Sequence, residues 1–143
     1  METSPKKEMD KALAETVIPV LRQIGFKGSL PHFRRLTNDR INLLTFQFDR
    51  YSGGFVIEIA NAQLGDFTTL WGKKIEQKKL TAHDLYKRKR IQSNMDTPNS
   101  STEDWFRYDN KGSELNIYIT VCKDVLSKLS IAEEYWKNGD ITS

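Results

Sequence analysis

The chain has 143 residues, of which 38% are hydrophobic and 29% charged, and its formal net charge is +3. These values indicate one globular domain spanning residues 1–143, and they exclude both a disordered chain and a histone-like polycation. Cys122 is the only cysteine, which excludes an internal disulfide bond. No run approaches the roughly 20 apolar residues that span a bilayer, and no secretory signal is visible. We therefore expect a cytoplasmic protein with no membrane partner.

The N-terminal segment is predicted to be a helix. Ser4 can accept hydrogen bonds from free backbone N–H groups, and Pro5 suits the first helical position. An apolar face then follows at helical spacing, and Gly25 is expected to end the helix. Pro19 removes one backbone donor and crowds the carbonyl of Glu15, so we expect a kink or break there. The apolar face consists of Leu13, Val17, Val20, Leu21 and Ile24.

After Gly25 the apolar period changes to two, which is typical of strands. We predict strands over residues 30–36, 41–49 and 55–60, and a fourth strand over 67–71. The predicted turns at 37–39 and 52–54 are short, so neighbouring strands should form an antiparallel meander. The sequence therefore predicts an α+β fold with a sheet of three to five strands, packed on an N-terminal and a C-terminal helix. One face of the sheet would remain partly open to solvent.

The second half of the chain is less regular. Residues 73–90 are basic and weakly helical, and 92–103 are polar and rich in breakers, which indicates a mobile loop. Thr102 would start a short turn, or residues 105–108 would add a fifth strand. Residues 115–121 have the β-branched content of a strand, but their apolar spacing continues into a helical stretch. We expect one helix over 113–129, then a short helix that ends near Gly139.

Catalytic and metal-binding motifs are weak in this chain. His32 and His83 are the only histidines, and with Cys122 they give no zinc-like spacing. Cys122 lies on a predicted apolar helix face, which is typical of a structural thiol. The sequence has neither a G-x-S-x-G motif nor a glycine-rich phosphate loop. We expect no metal and no cofactor, and the balance leans away from an enzyme.

The basic segment, residues 73–90, stands out in composition. It carries eight Lys or Arg and two acidic residues, so its net charge is +6 and the rest of the chain nets −3. Its densest part is Lys87, Arg88, Lys89 and Arg90. These cations could bind nucleic acid, with Trp71, Tyr86 or Trp105 as stacking surfaces, or an acidic protein partner. They could equally form a solvated surface.

Three polar side chains are predicted to share the open sheet face. Gln47 and Glu58 fall on the polar side of neighbouring strands, and Arg34 could join them from the strand before. Such a platform could serve a small-ligand binder or an enzyme, or form the interface of a homodimer. The alternative is a solvated face with ordinary cross-strand pairs.

Short motifs follow one another in an order typical of a known family. A helix ending in Leu21-x-x-Ile24-Gly25-Phe26-Lys27 precedes His32-Phe33-Arg34-Arg35. Next come Ile41 to Gln47, a strand over 55–61, Arg88-x-Arg90-Ile91, and Asp104-Trp105-Phe106. From about residue 10 to 137 this order resembles the mostly bacterial domain-of-unknown-function family DUF4304.

The resemblance supports a C-terminal helix over 113–129 but implies no activity, because the family has none established. If the family shares a site, the matching positions are Gln47, Arg90, Asp104 and Trp105. The alternative is an ion pair between Arg90 and Asp104 that pins the long loop, with Trp105 packed over it. The sequence departs from the family at Gln92, where glycine is usual, and at Phe106, where tryptophan is usual.

The sequence leaves three functions open. The first is a small non-enzymatic protein-binding module, regulatory or immunity-like. The second is nucleic-acid binding through residues 73–90. The third is a ligand binder or enzyme that uses the open sheet face.

Overall fold

The computed structural model describes residues 4–96, 101–109 and 116–142. The helices within these ranges are α1 (Pro5–Thr16), α2 (Ile18–Gln23), α3 (Ile117–Ser127) and α4 (Leu129–Asn138). The strands are β1 (Lys27–Ser29), β2 (His32–Leu36), β3 (Ile41–Phe48), β4 (Gly54–Ala62), β5 (Phe67–Thr68), β6 (Lys74–Ile75), β7 (Lys89–Ile91) and β8 (Phe106–Arg107). Short 3₁₀ turns occupy Gln77–Lys79, Ala82–Asp84 and Thr102–Asp104.

The N-terminal helix begins and breaks where the sequence predicts. Ser4 Oγ accepts a hydrogen bond from the backbone N–H of Lys7 at 3.2 Å, and Pro5 opens the helix. The helix is interrupted at Val17, two residues before Pro19, because proline supplies no backbone donor. Gly25 ends α2 with a φ of +104°, a conformation that glycine adopts without steric cost.

The main sheet confirms the predicted α+β class and meander. Its strands run in the order β1-β2-β3-β4-β7, all neighbours are antiparallel, and β8 also pairs with β4. The sheet thus has six strands in the described part of the chain, where three to five were expected. The tight turn between β3 and β4 has positive φ at Ser52 and Gly53, which suits a hairpin.

One face of the sheet, here called the first face, packs on the helices. Phe33, Phe46, Phe55 and Ile59 meet buried side chains of all four helices. Trp136 of α4 is buried there, and its indole N–H donates to the carbonyl oxygen of Leu43 at 3.1 Å. These contacts form the larger of the two hydrophobic clusters, so the first face holds the main core.

The opposite or second face, which was predicted to be partly open, is covered at its centre over β3 and β4. Phe67, Leu80, Ala82 and Leu85 pack on a patch of small and branched side chains from β3 and β4. That patch consists of Ile41, Leu43, Ala60 and Ala62. Strand β4 is buried along its whole length, and a strand that is apolar on both faces needs cover on both. The covering segment is residues 63–88.

The covering segment is not helical, which corrects two further predictions. Residues 73–90 form strand β6, two 3₁₀ turns and strand β7, because their apolar residues lack a sustained helical period. Residues 67–71 do not extend the meander either. Phe67 and Thr68 pair with Ile75 and Lys74 in a separate two-stranded sheet.

The C-terminal helices confirm the choice of helix over strand. Helix α3 covers 117–127, and Asn116 Oδ1 caps it by accepting from the backbone N–H of Ile119 at 3.2 Å. The predicted start at residue 113 lies outside the described residues. Helix α4 ends with Gly139 as its cap, as expected. Residues 102–104 and 106–107 form the predicted turn and the predicted strand, while 97–100 of the expected mobile loop are outside the description.

Candidate binding surface

A row of four polar residues crosses the second face of the sheet. Strand register places His32 opposite Thr45, Thr45 opposite Glu58, and Glu58 opposite Arg90. Residues directly opposite in an antiparallel sheet project to the same face. His32 Nδ1 lies 2.9 Å from Thr45 Oγ1, within hydrogen-bonding distance. We call this set the polar row.

Glu58 and Arg90 form the ion pair of the polar row. Arg90 Nε and Nη2 both donate to Glu58 Oε1, at 3.2 and 3.0 Å. The Glu58 side chain is 7% exposed and that of Arg90 is 33% exposed. The guanidinium also lies 5.7 Å from the ring centroid of buried Trp105, a cation–π contact. The pair therefore neutralises a carboxylate that burial would otherwise make costly.

Gln47 and Arg34, the other residues of the predicted platform, are displaced along the sheet from this pair. Gln47 is opposite Val56 and Arg34 is opposite Leu43, so both share the face with Glu58 but neither is directly opposite it. Thr45 takes the position expected for Gln47. Because the face is covered and Glu58 is paired, the described residues do not show the exposed carboxylate platform that the sequence suggested.

Asp104 is engaged at the base of the polar loop. Its Oδ1 accepts from the side-chain amide of Asn94 and its backbone carbonyl accepts from the Asn94 N–H, both at 3.1 Å. Arg90 pairs with Glu58 instead of Asp104. The two ends of the loop are therefore joined by Asn94 and Asp104, and Trp105 packs beside Arg90 as expected.

Two histidines face each other beside the polar row. The rings of His32 and His83 meet edge to face, with centroids 6.2 Å apart. Burial is the main cause that lowers the pKa of each imidazole below its usual 6.5, and the charge of His83 lowers that of His32 further. Arg88 likewise depresses the pKa of His83, whereas Glu58 and Asp84 oppose the shift. This contact could not be predicted from the sequence. His32 and His83 are far apart in the chain and meet only because the covering segment packs on the sheet.

The most exposed apolar side chains of the covering segment lie together around one cavity. Leu70 is 85% exposed, Trp71 75% and Tyr86 60%. They border a cavity of about 250 Å³ that also contacts Arg88 and His83. We call Leu70, Trp71, Tyr86 and Arg88 the tip surface. Exposed apolar clusters of this kind, unlike single exposed residues, mark interaction sites.

The turn that carries Leu70 and Trp71 is held by its own backbone. The Thr69 N–H donates to the Lys73 carbonyl at 2.8 Å, and the Lys73 N–H donates to Thr69 Oγ1 at 2.9 Å. Thr69 is buried, whereas the two apolar residues that follow it point into solvent. Local hydrogen bonds thus fix an exposed apolar pair at the end of a short hairpin.

The run from Lys87 to Arg90 does not form one patch. Lys87 and Arg88 are exposed near the tip surface, whereas Arg90 turns into the polar row. Lys89 lies opposite Ile59 and borders a groove of about 530 Å³ along α4. Alternation along β7 sends Lys89 and Arg90 to opposite faces, while Lys87 and Arg88 precede the strand.

Thiol and metal chemistry find little support at these positions. Cys122 is fully buried in the main core, and burial raises the pKa of its thiol to about 11. Among residues 4–96, 101–109 and 116–142, no three His, Cys, Asp or Glu side chains come together as a metal site. No helix in the described part of the chain is both long and apolar enough to cross a bilayer.

The fold defines an α+β protein with a helix-covered antiparallel sheet and an exposed apolar and basic hairpin tip. The chain belongs to the family described as a domain of unknown function, DUF4304, whose family model matches residues 17–130. The matched range contains the whole sheet, the polar row and the tip surface. No curated protein and no solved structure matches the chain.

Proposed function

We propose that this chain is a small protein-binding module and that the tip surface is its contact site. The observation that carries the proposal is the exposure of Leu70, Trp71 and Tyr86 around one cavity with Arg88 at its rim. Leaving three large apolar side chains in water forgoes the stabilisation that burying them would give. A partner that covers them would recover that free energy.

The composition of the tip surface fits a protein contact. Tryptophan, tyrosine and arginine are the residue types enriched at the energetic centres of protein interfaces. The cavity of about 250 Å³ is below the roughly 300–1,000 Å³ typical of sites for drug-sized ligands. It is therefore better suited to one side chain of a larger partner than to a whole small molecule.

We extend the proposal to a cytoplasmic, regulatory or immunity-like role. A lone, buried thiol fits a reducing compartment. In the polar row Glu58 is held in an ion pair and the Thr45 hydroxyl is buried, which favours binding over catalysis there. This part of the proposal rests on size and class, and the partner's identity would decide it.

The proposal is tested by capturing partners from native host cells with tagged chain. We compare the wild type with Leu70→Ser/Trp71→Ser, and with Tyr51→Ser as a matched control. Tyr51 is 82% exposed but lies in the turn between β3 and β4, away from the cavity. The expected result is a stoichiometric protein that the double variant loses and the control retains. A partner that both variants retain would remove the tip surface from the proposal.

Single-stranded nucleic acid is the second candidate. The observation that favours it is the presence of Trp71 and Tyr86 beside exposed Lys73, Lys87 and Arg88, because bases stack on aromatic rings while cations bind phosphates. It predicts binding to RNA or single-stranded DNA that weakens steeply with salt. Loss of that binding in Lys87→Gln/Arg88→Gln, with no partner protein captured, would favour this candidate over the first.

A further inference from the structure

The tip cavity has an apolar floor and a mixed rim. Phe67 and Leu85 are buried beneath it, and Leu70, Trp71 and Tyr86 stand at its edge. A volume of about 250 Å³ bounded by these side chains can accept one large apolar side chain. Burying such a side chain removes apolar surface from water, so one residue of the partner would supply a substantial share of the affinity.

The charge around the cavity determines which partner residues can flank the inserted side chain. Arg88 contacts the cavity, and Lys87, the residue before it, is exposed. Lys73 is also exposed and lies in the hairpin turn that carries Leu70 and Trp71. None of Lys73, Lys87 and Arg88 forms an ion pair with another described residue, whereas Lys74 pairs with Asp66 and Lys78 with Glu76. These three cations therefore remain available to carboxylates of a partner.

Among the described residues of the cavity wall, the one carboxylate is already engaged. Asp84 Oδ2 accepts from the backbone N–H of Thr81 at 2.8 Å and from its hydroxyl at 3.2 Å. These bonds close a capping box on the 3₁₀ turn that covers the sheet. Asp84 thus serves the fold, and Lys73, Lys87 and Arg88 outnumber this carboxylate around the cavity.

We infer that the tip surface recognises an acidic protein segment that inserts one large apolar side chain into the cavity. This inference rests on the proposed function and names the chemistry of its partner. The apolar residue supplies affinity by displacing water from Leu70, Trp71 and Tyr86. Asp or Glu residues on either side meet Lys73, Lys87 and Arg88, which adds specificity and faster association.

The experiment is selection of a random displayed peptide library on the intact chain. We expect enriched sequences to carry one Leu, Ile, Met or Phe flanked by Asp or Glu. Binding of an enriched synthetic peptide should fall at least tenfold with Trp71→Ser or Arg88→Glu and stay within twofold with Tyr51→Ser. Selection of basic or purely polar peptides, or of nothing, would overturn the inference.

Trp71 supplies a direct readout of the same complex. It is the exposed tryptophan of the three, whereas Trp105 and Trp136 are buried, so acrylamide quenches mainly its fluorescence. The enriched peptide should protect Trp71 from acrylamide, and a version with serine for its apolar residue should not. Equal protection by both, or tighter binding of a single-stranded oligonucleotide, would contradict the inference.

The two proposals fail separately. If capture from host cells depends on Leu70 and Trp71 but the library yields no acidic and apolar sequences, the module stands and the partner chemistry is wrong. If capture does not depend on these residues, the contact site itself is wrong. If the captured protein is a second copy of the chain, the inference of an acidic partner segment is also overturned.

Discussion

Glu58 and Arg90 show how a buried carboxylate is held in a sheet without becoming a reactive group. Two guanidinium nitrogens donate to one carboxylate oxygen, and the guanidinium also contacts the ring of Trp105. The sequence indicated both residues but assigned them to different sites. Pairing them required the register of β4 with β7, which two stretches separated by more than twenty residues do not reveal.

Arg90→Gln should destabilise the protein by about 2–3 kcal/mol. This is below the roughly 3–5 kcal/mol for breaking a fully buried pair, because Arg90 keeps a third of its side chain in water. Urea unfolding measures the loss. Glu58→Gln/Arg90→Gln should be less destabilised than the sum of the single variants, since the double variant leaves no buried unpaired charge. Strict additivity would show that the two side chains do not interact.

The facing histidines predict a pH dependence of stability. Their pKa values are lowered in the folded protein, so below about 6.5 the unfolded chain binds more protons than the folded chain. Stability should therefore be greatest well above this pH and should fall as the pH drops below about 6.5. Charged groups facing the pair are Arg34, Arg88, Glu58 and Asp84.

His83→Gln should flatten this dependence, because it removes one titrating ring and the repulsion on the other. The measurement is the urea midpoint as a function of pH. Asp39 and Asp109 also have a lowered pKa, but their ordinary value is 3.8, so they act below this window. An unchanged slope in His83→Gln would show that the pair is not responsible.

At the level of elements, residues 63–88 join the fold through a few apolar side chains. Leu80, Ala82 and Leu85 anchor two 3₁₀ turns on β3 and β4, while Leu70 remains in solvent. These leucines differ in burial, although nothing in the sequence distinguishes them. The segment is thus a cover for the second face and also the support of the tip surface.

Leu80→Ala should cost about 2–5 kcal/mol, the range for a buried leucine, because it leaves a cavity over Leu43 and Ala60. Leu70→Ala is the matched control and should change the free energy of unfolding by less than about 0.5 kcal/mol. Thermal or urea denaturation measures both. Similar losses in the two variants would mean that Leu70 is buried in solution.

The parts of the fold that could be predicted from sequence are those with local signals. Ser4, Pro5, Pro19 and Gly25 determine the first helix through backbone chemistry close by, and the alternation in residues 41–60 determines the central hairpin. The covering segment was misjudged because its apolar residues follow no sustained period. Its shape depends on the apolar second face of β4, a distant partner.

The candidate site also has some residues that could be predicted from the sequence and others that could not. Trp71, Tyr86 and Arg88 were recognised from composition, since an aromatic residue beside cations is visible in any sequence. Leu70 and the cavity were not, because exposure of a leucine is a property of the folded chain. The separation of Lys89 and Arg90 onto opposite faces also needed a strand in place of the expected helix.

For the whole molecule, the two faces of the sheet have different roles. The first face holds the helices and the main core, with Cys122 and Trp136 inside it. The second face carries the polar row and the covering segment, whose far end reaches solvent with its largest apolar residues exposed. A stable scaffold on one side and an exposed hairpin on the other is the arrangement expected of a binding module.

Photo-crosslinking in host cells tests this claim most directly. A photoreactive phenylalanine derivative replaces Trp71 in one variant and Tyr51 in another, both at positions that are at least three-quarters exposed. We expect one discrete adduct with another protein from position 71 and none from position 51. Absence of an adduct at 71, or the same adducts from both positions, would contradict it.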